Sequence, residues 1–61
     1  MSKRELIKNT MREDPMASAV AIANRVGLSE SGVQYHIKKM KANGEIERFG
    51  ADFGGQWKVN G

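Results

Sequence analysis

The sequence predicts a mostly α-helical domain of three helices followed by a small β-hairpin. Apolar residues recur at helical spacing in three segments, each of which follows a serine. Gly27 separates the second segment from the third, and Gly44 ends the third. Five of the seven glycines lie after residue 43, where two short apolar runs flank a glycine-rich loop. This change of pattern favours a hairpin over a fourth helix.

The first helix is predicted from about Lys3 to Glu13. The run Ser2-Lys3-Arg4-Glu5 matches a capping box, in which a serine hydroxyl and a glutamate satisfy the first free amides. Asp14-Pro15 ends the helix, because the residue before a proline disfavours the α region. The spacing places Leu6, Ile7, Thr10 and Met11 on the buried stripe, and Lys3, Arg4, Lys8 and Arg12 in solvent.

A second helix is predicted from about Ala19 to Val26 with Ser18 as its cap, and a third from about Glu30 to Asn43 with Ser29 as its cap. Gly27 can adopt the positive φ of a sharp turn between them. Leu28 is expected to fill the turn from the core side. The apolar positions of the second helix are Val20, Ile22, Ala23 and Val26. On the third helix, Val33, Ile37 and Met40 are placed inward.

The hairpin is predicted to place Ile46 and Arg48 on one strand and Trp57 and Val59 on the other. Because alternate residues share a face, Trp57 is expected in the core with Val59. The loop residue Phe53 is open to three interpretations: contact with a sugar, contact with a partner protein, or folding back under the loop. The hairpin is expected to be net acidic, with Glu45, Glu47 and Asp52 against Arg48 and Lys58.

Length and composition argue against an enzyme. A chain of 61 residues is expected to form a single domain over 1–61, either on its own or as part of a longer protein. Such a chain buries only ~60% of its unfolded surface, which leaves little room for a substrate pocket. No spacing of Ser, His, Asp and Glu suggests a nucleophile with its base. With no cysteine and one histidine, neither a metal site nor a cofactor is expected.

The charge is modest in total and uneven in distribution. Ten Lys and Arg oppose seven Asp and Glu, for a net charge of +3. Residues 25–43 hold Arg25, Lys38, Lys39 and Lys41 against Glu30 alone. No run of 18 apolar residues occurs, and Met1 is followed by polar residues, so neither a membrane span nor a secretion signal is expected. These features favour the cytoplasm.

A helix-turn-helix with a basic second helix is typical of proteins that insert side chains into the major groove of DNA. On the third helix the face opposite the core carries Ser31, Gln34, Tyr35 and Lys38. Gln34 suits the adenine edge, and Lys38 suits guanine or a phosphate. Lys39 and Lys41 flank this face and suit the DNA backbone. The alternative is that a polar face with three lysines is simply solvated.

Three further residues have two interpretations each. Ser29 is a helix cap, although the same helix N-terminus can bind a phosphate. Arg25 can serve the dipole of the second helix or a phosphate. His36 lies at the edge of the buried stripe, where a partly buried, hydrogen-bonded packing role is favoured over a pH-sensing one.

The chain resembles bacterial and archaeal winged helix-turn-helix regulators of the arsenic-repressor and multiple-antibiotic-resistance-repressor type. The resemblance covers nearly the whole chain. It rests on Ile22-Ala23-x2-Val26-Gly27-Leu28-Ser29-x3-Val33-x2-His36-Ile37-x2-Met40-x3-Gly44-x-Ile46 and on Glu47-Arg48-x-Gly50 and Gly54-Gly55-x-Trp57-x-Val59. In the family the position of Glu45 is usually apolar, and the tip at Ala51-Asp52-Phe53 is usually polar or basic.

The resemblance implies double-stranded DNA binding in transcription regulation. It implies contacts at Ser31, Gln34, Tyr35 and Lys38, with further contacts around the hairpin tip. Because regulators of this shape usually dimerise through additional helices, the partner is expected to be a second copy or a larger parent protein. The alternative function is a winged helix used for protein–protein contact, which Phe53, the acidic hairpin and the modest charge support.

Overall fold

A computed structural model describes residues 2–50 and 55–60 and confirms the predicted order of elements. Three helices, α1 (Lys3–Glu13), α2 (Ala19–Val26) and α3 (Glu30–Ala42), precede strands β1 (Ile46–Phe49) and β2 (Gln56–Val59). The strands pair antiparallel, with Arg48 opposite Trp57. The fold is a mostly helical, three-helix winged helix-turn-helix. The expectations for Ala51, Asp52 and Phe53 lie outside the described residues.

Each helix begins where the sequence indicates; α1 and α2 also end there, and α3 ends one residue earlier than predicted. The capping hydroxyls accept N–H groups three positions on: Ser2 from Glu5 at 3.2 Å, Ser18 from Ala21 at 3.1 Å and Ser29 from Gly32 at 3.1 Å. Gly27 and Gly44 adopt positive φ of 76° and 75° after α2 and α3. Asn43, predicted as the last residue of the third helix, is its C-cap.

One apolar core lies between the helices and the inner face of the hairpin. Its largest fully buried side chains come from all three helices and from β1: Ile7, Met11, Ile22, Val33, Met40 and Ile46. Trp57 is also buried, as predicted, and its indole N–H donates to the Ala17 carbonyl at 2.8 Å. The backbone N–H of Trp57 donates to the Pro15 carbonyl at 2.7 Å. The loop between α1 and α2 therefore holds β2 against the helices.

Lys8 contradicts its predicted exposure, since only 7% of its surface remains accessible. Its ammonium donates to Glu45 Oε1 at 3.0 Å and lies 3.7 Å from Glu5 Oε1. A buried ammonium requires such partners, because burial removes it from water. The same pair accounts for the carboxylate at position 45.

Val20, one of the apolar positions of the second helix, does not belong to the core, since it is 50% exposed. The contact face of α2 consists of Ile22, Ala23 and Val26, which are all buried. At ~100° per residue, Val20 lies about 110° from the centre of that face. An eight-residue helix with three buried positions leaves Val20 on its flank.

In residues 2–50 and 55–60, no helix is long and apolar enough to cross a membrane. The same residues contain no group of three or more His, Cys, Asp or Glu side chains that could hold a metal ion.

Candidate nucleic-acid interface

Helix α3 presents most of the predicted site residues on one exposed face. Val33, Ile37 and Met40 are buried and fix the orientation of the helix. Because these three residues point into the core, the intervening polar side chains point away from it. The residues brought together on the exposed side are Ser31, Gln34, Tyr35, Lys38 and Lys39.

At the start of α3, the structure confirms Ser29 as a helix cap. Its hydroxyl oxygen accepts the Gly32 N–H and lies 3.2 Å from the hydroxyl of Ser31. The two serines therefore form one polar group at the helix N-terminus. A helix N-terminus has free backbone N–H groups and a positive dipole end, which are the features that a phosphate oxygen requires.

Tyr35 is the most exposed aromatic side chain in the described part of the chain, at 58%. The Lys39 ammonium lies 5.7 Å from the centroid of the Tyr35 ring, within the range of a cation–π contact. The His36 ring meets Tyr35 edge-on, with centroids 5.7 Å apart. Tyr35 is therefore exposed on α3 and contacts both Lys39 and His36.

His36 is partly buried, as predicted, but the expected hydrogen bond is absent at one nitrogen. Its Nδ1 is buried and has no hydrogen-bond partner among residues 2–50 and 55–60. The side chain contributes packing beside Tyr35.

Arg25 is separated from the α3 residues by its own ion pair. Its guanidinium bonds to the carboxylate of Glu13, which is the last residue of α1. Both side chains are more than half exposed. The structure thus ties Arg25 to the end of α1 instead of adding it to the α3 face.

Lys41 extends toward the hairpin, where sequence reasoning had not identified a binding residue. Its ammonium lies 5.8 Å from the centroid of the Trp57 ring, and the Arg48 guanidinium lies 4.4 Å from the same centroid. Arg48 is exposed on β1 directly opposite Trp57. The strand alternation that places Trp57 inward also places Arg48 on that face. The net acidic charge of the hairpin gave no indication that Arg48 lies against Trp57 on the inner face.

The cations differ in the partners that the structure gives them. Three cations on α1 and α2 pair with acidic residues: Arg4 and Lys8 with Glu45, and Arg25 with Glu13. On α1, Lys3 donates to the Val26 carbonyl at 2.9 Å and Arg12 donates to Asn9 at 2.7 Å. A further group forms neither an ion pair nor a side-chain hydrogen bond within the part of the chain that the structure describes. We call this group the unpaired cations; it consists of Lys38, Lys39, Lys41, Arg48 and Lys58, all on α3 and the hairpin.

Glu45 adds little negative charge beside α3, although it was counted in the acidic hairpin. Its carboxylate accepts hydrogen bonds from Lys8 and, at 3.2 Å, from Asn43, and Arg4 lies 3.6 Å away. These contacts, with the Lys8 hydrogen bond as the largest cause, lower the pKa of Glu45. The carboxylate is therefore held in its charged form and its charge is offset by α1.

A helix-turn-helix with an exposed basic face beside a β-hairpin defines a class of DNA-binding domains. The family model described as winged helix-turn-helix DNA-binding matches residues 2–47, and the chain belongs to that family. The match spans all three helices and the beginning of β1. Members of such a family typically bind DNA without catalysing a reaction. No curated protein and no solved structure matches the chain.

Proposed function

We propose that this domain binds double-stranded DNA in transcription regulation, with α3 inserted into the major groove. The observation that carries the proposal is the separation of paired from unpaired cations. Acidic residues pair with three cations of α1 and α2, whereas the unpaired cations all lie on α3 and the hairpin. Lys58 lies on the opposite face of the hairpin from Arg48, so the proposed DNA-binding surface consists of the other four: Lys38, Lys39, Lys41 and Arg48. A surface with uncompensated positive charge attracts the phosphate backbone.

Within this proposal, the α3 residues have different roles. Gln34 and Lys38 contact base edges, since an amide suits adenine and an ammonium suits guanine. Ser31 and Tyr35 contact either a base or a phosphate, and Lys39 contacts the backbone, which sets register without carrying sequence information. Ser29 offers the helix N-terminus to a phosphate. Arg25 contributes least, because it would have to leave Glu13.

The resemblance to arsenic-repressor and multiple-antibiotic-resistance-repressor regulators supports the regulatory role, and the cytoplasm is the compartment that suits it. One α3 spans a short half-site only. A second copy or a larger parent protein would supply a second recognition helix. That helix would bind the second half-site that tight, specific binding requires.

The direct test is a fluorescence-anisotropy titration of a labelled mixed-sequence duplex at two salt concentrations. We compare the wild type with Lys38→Ala/Lys39→Ala. Each neutralised phosphate contributes about 0.9 to the slope of log binding constant against log salt. The double variant is expected to bind more weakly and to lower that slope by up to about 1.8.

Arg4→Ala/Arg12→Ala is the matched control, because it removes two cations from α1 and leaves α3 unchanged. It is expected to retain most of the slope. Equal losses in both variants would show that only net charge matters, and an absence of wild-type binding at low salt would overturn the proposal. Circular dichroism establishes that each variant is folded.

A charge-neutral third helix would favour the alternative function, protein–protein contact. The structure shows the opposite arrangement, since Lys38, Lys39 and Lys41 form no ion pair within the described ranges. Phe53, which supported the alternative, lies outside those ranges. DNA binding is therefore the function that the described residues favour.

A further inference from the structure

We infer that Lys41 and Arg48 form a phosphate-binding site at the base of the hairpin, with Trp57 as the residue that positions them both. This inference rests on the proposed function, DNA binding by α3. It extends the contact surface from α3 onto β1, through residues close to the helices and independently of the loop at 51–54. The resemblance to known regulators had implied contacts around the hairpin tip instead.

Trp57 is a rigid support for the two cations. Only 8% of its surface is exposed. Its indole N–H donates to the Ala17 carbonyl, and its backbone N–H donates to the Pro15 carbonyl. Both the ring and the backbone of Trp57 are therefore bonded to the loop between α1 and α2. A side chain that stacks on this ring has its position set by the core.

Two cations from different elements contact the Trp57 ring. Arg48 is the cross-strand partner of Trp57, and its guanidinium stacks 4.4 Å from the ring centroid. Lys41 comes from the last turn of α3 and lies 5.8 Å from the same centroid. A cation over a tryptophan face is attracted by the ring quadrupole, so each contact holds its cation in place.

The N–H donors of Lys41 and Arg48 are available for a ligand. Within the described residues, neither side chain donates a hydrogen bond or forms an ion pair. A guanidinium has five N–H donors and an ammonium has three. Two like charges held near one ring also repel each other. An anion that contacts both relieves the repulsion and uses the donors.

The anion that would contact Lys41 and Arg48 is a phosphate of the bound duplex. Lys41 lies seven residues after Gln34, so both lie along the same side of α3. With Gln34 at the bases, phosphates of the strand that borders the groove pass beside that side of the helix. Strand β1 packs against α3, and the ring of Trp57, opposite Arg48 on β1, lies beside Lys41. The DNA backbone would therefore continue from the α3 lysines onto Arg48.

The test is Arg48→Gln in the anisotropy titration, with Lys58→Gln as the matched control. Both variants remove one cation from the hairpin. In the strand register Lys58 lies opposite Glu47, on the face of the hairpin that does not carry Arg48. Its ammonium lies over Phe49 instead of Trp57. We expect Arg48→Gln to weaken binding several-fold and to lower the salt slope by about 0.9, and Lys58→Gln to leave the slope unchanged.

The role of Trp57 is tested by two substitutions and by its fluorescence. Trp57→Phe keeps an aromatic face and is expected to retain the slope, whereas Trp57→Leu is expected to lower it as Arg48→Gln does. As the single tryptophan of the chain, Trp57 should also change emission when DNA binds the wild type, and less so in Arg48→Gln. If Trp57→Leu fails to fold, the Arg48 comparison and the emission change still decide the matter.

The outcomes separate this inference from the proposed function. If Lys38→Ala/Lys39→Ala loses affinity while Arg48→Gln behaves as Lys58→Gln does, the site at the hairpin base is overturned and DNA binding by α3 stands. If Arg48→Gln alone lowers the slope and Arg48→Lys restores it, the inference is supported. If the wild type does not bind a duplex, both are overturned.

Discussion

At the scale of single residues, Lys8 and Glu45 connect two parts of the chain that are distant in sequence. Lys8 lies in the middle of α1, and Glu45 lies just before β1. Their ion pair joins α1 to the turn that leads from α3 into the hairpin. Because Lys8 is buried, each member of the pair needs the other. The contact therefore helps to set the position of the hairpin relative to α3.

The first prediction concerns the pH dependence of this pair. The pKa of Glu45 is lowered from its ordinary value of 4.5, mainly by the hydrogen bond from Lys8. A lowered pKa in the folded state stabilises the fold above the ordinary value and loses that effect as pH falls through the lowered value. The advantage in Tm of the wild type over Glu45→Gln should therefore shrink as the pH falls below the ordinary value of 4.5. Thermal unfolding followed by circular dichroism measures it; parallel curves would contradict the prediction.

The second prediction compares two aliphatic side chains of α2. Ile22 is fully buried, whereas Val20 is half exposed. Ile22→Val should lower the free energy of unfolding by about 1 kcal/mol, since a buried methylene group is lost from a packed core. Val20→Ala should change it by no more than about 0.5 kcal/mol, because the site is on the surface. Urea unfolding measures both, and a larger effect for Val20→Ala would show that α2 packs differently.

The contacts of Lys8 and Arg48 could not be predicted from the sequence for the same reason. Helical periodicity assigns a face within one helix but contains no information about the neighbouring element. Lys8 falls on a polar position by type, yet the residue facing it is Glu45, which only the tertiary arrangement reveals. Arg48 likewise is one charge among five in the hairpin until the strand register places it against Trp57.

At the scale of elements, the turns after α2 and α3 depend on glycines with a left-handed backbone. Gly44 has a φ of 75°, and a Cβ built there would meet nothing within 4 Å. Any effect of substitution therefore comes from the backbone conformation and not from a clash. This turn directs the chain from α3 into β1 and so determines where Arg48 lies relative to Lys41.

The third prediction follows from that conformation. Gly44→Ala should destabilise the fold by about 1 kcal/mol, because an L-residue with a side chain is strained at this φ. Gly44→Asn should cost less, since asparagine tolerates the left-handed region better than other residues. Urea unfolding of both variants provides the comparison. Equal stability of the wild type and Gly44→Ala would contradict the assigned turn.

The helices were predictable because their boundaries depend on local chemistry. Serine caps, a proline after α1 and glycines after α2 and α3 act within a few residues, so the sequence alone indicates them. The hairpin was predictable as an element for the same reason. Its contacts were less so, because the hydrogen bonds from Trp57 to Pro15 and Ala17 join residues about forty positions apart.

At the scale of the whole molecule, the arrangement of charge matters more than its total. The net charge of +3 is modest, and it does not by itself indicate a nucleic-acid partner. Ion pairs with Glu13 and Glu45 remove cations of α1 and α2 from the effective surface charge. The unpaired cations that remain are gathered on α3 and the hairpin.

The fourth prediction gives this arrangement a number. At about 0.9 per neutralised phosphate, the four unpaired cations on α3 and at Arg48 set an upper limit of about 3.6 for the magnitude of the salt slope of one domain on duplex DNA. Anisotropy titrations over a range of salt concentrations measure it. A steeper slope would show that cations outside this surface also contact phosphates, contrary to the arrangement of charge described above.

The most direct test of the central claim, that α3 and β1 form the DNA-binding surface, is amide chemical-shift mapping by NMR with a short duplex. The competing surface is an open groove of about 410 Å³ between α1 and the hairpin, which Met11, Pro15, Phe49 and Val59 help to line. The account predicts the largest shifts along α3 and at Arg48, with Met11 and Arg12 of α1 unchanged. Shifts concentrated around Met11, Pro15 and Phe49, with α3 unaffected, would contradict it.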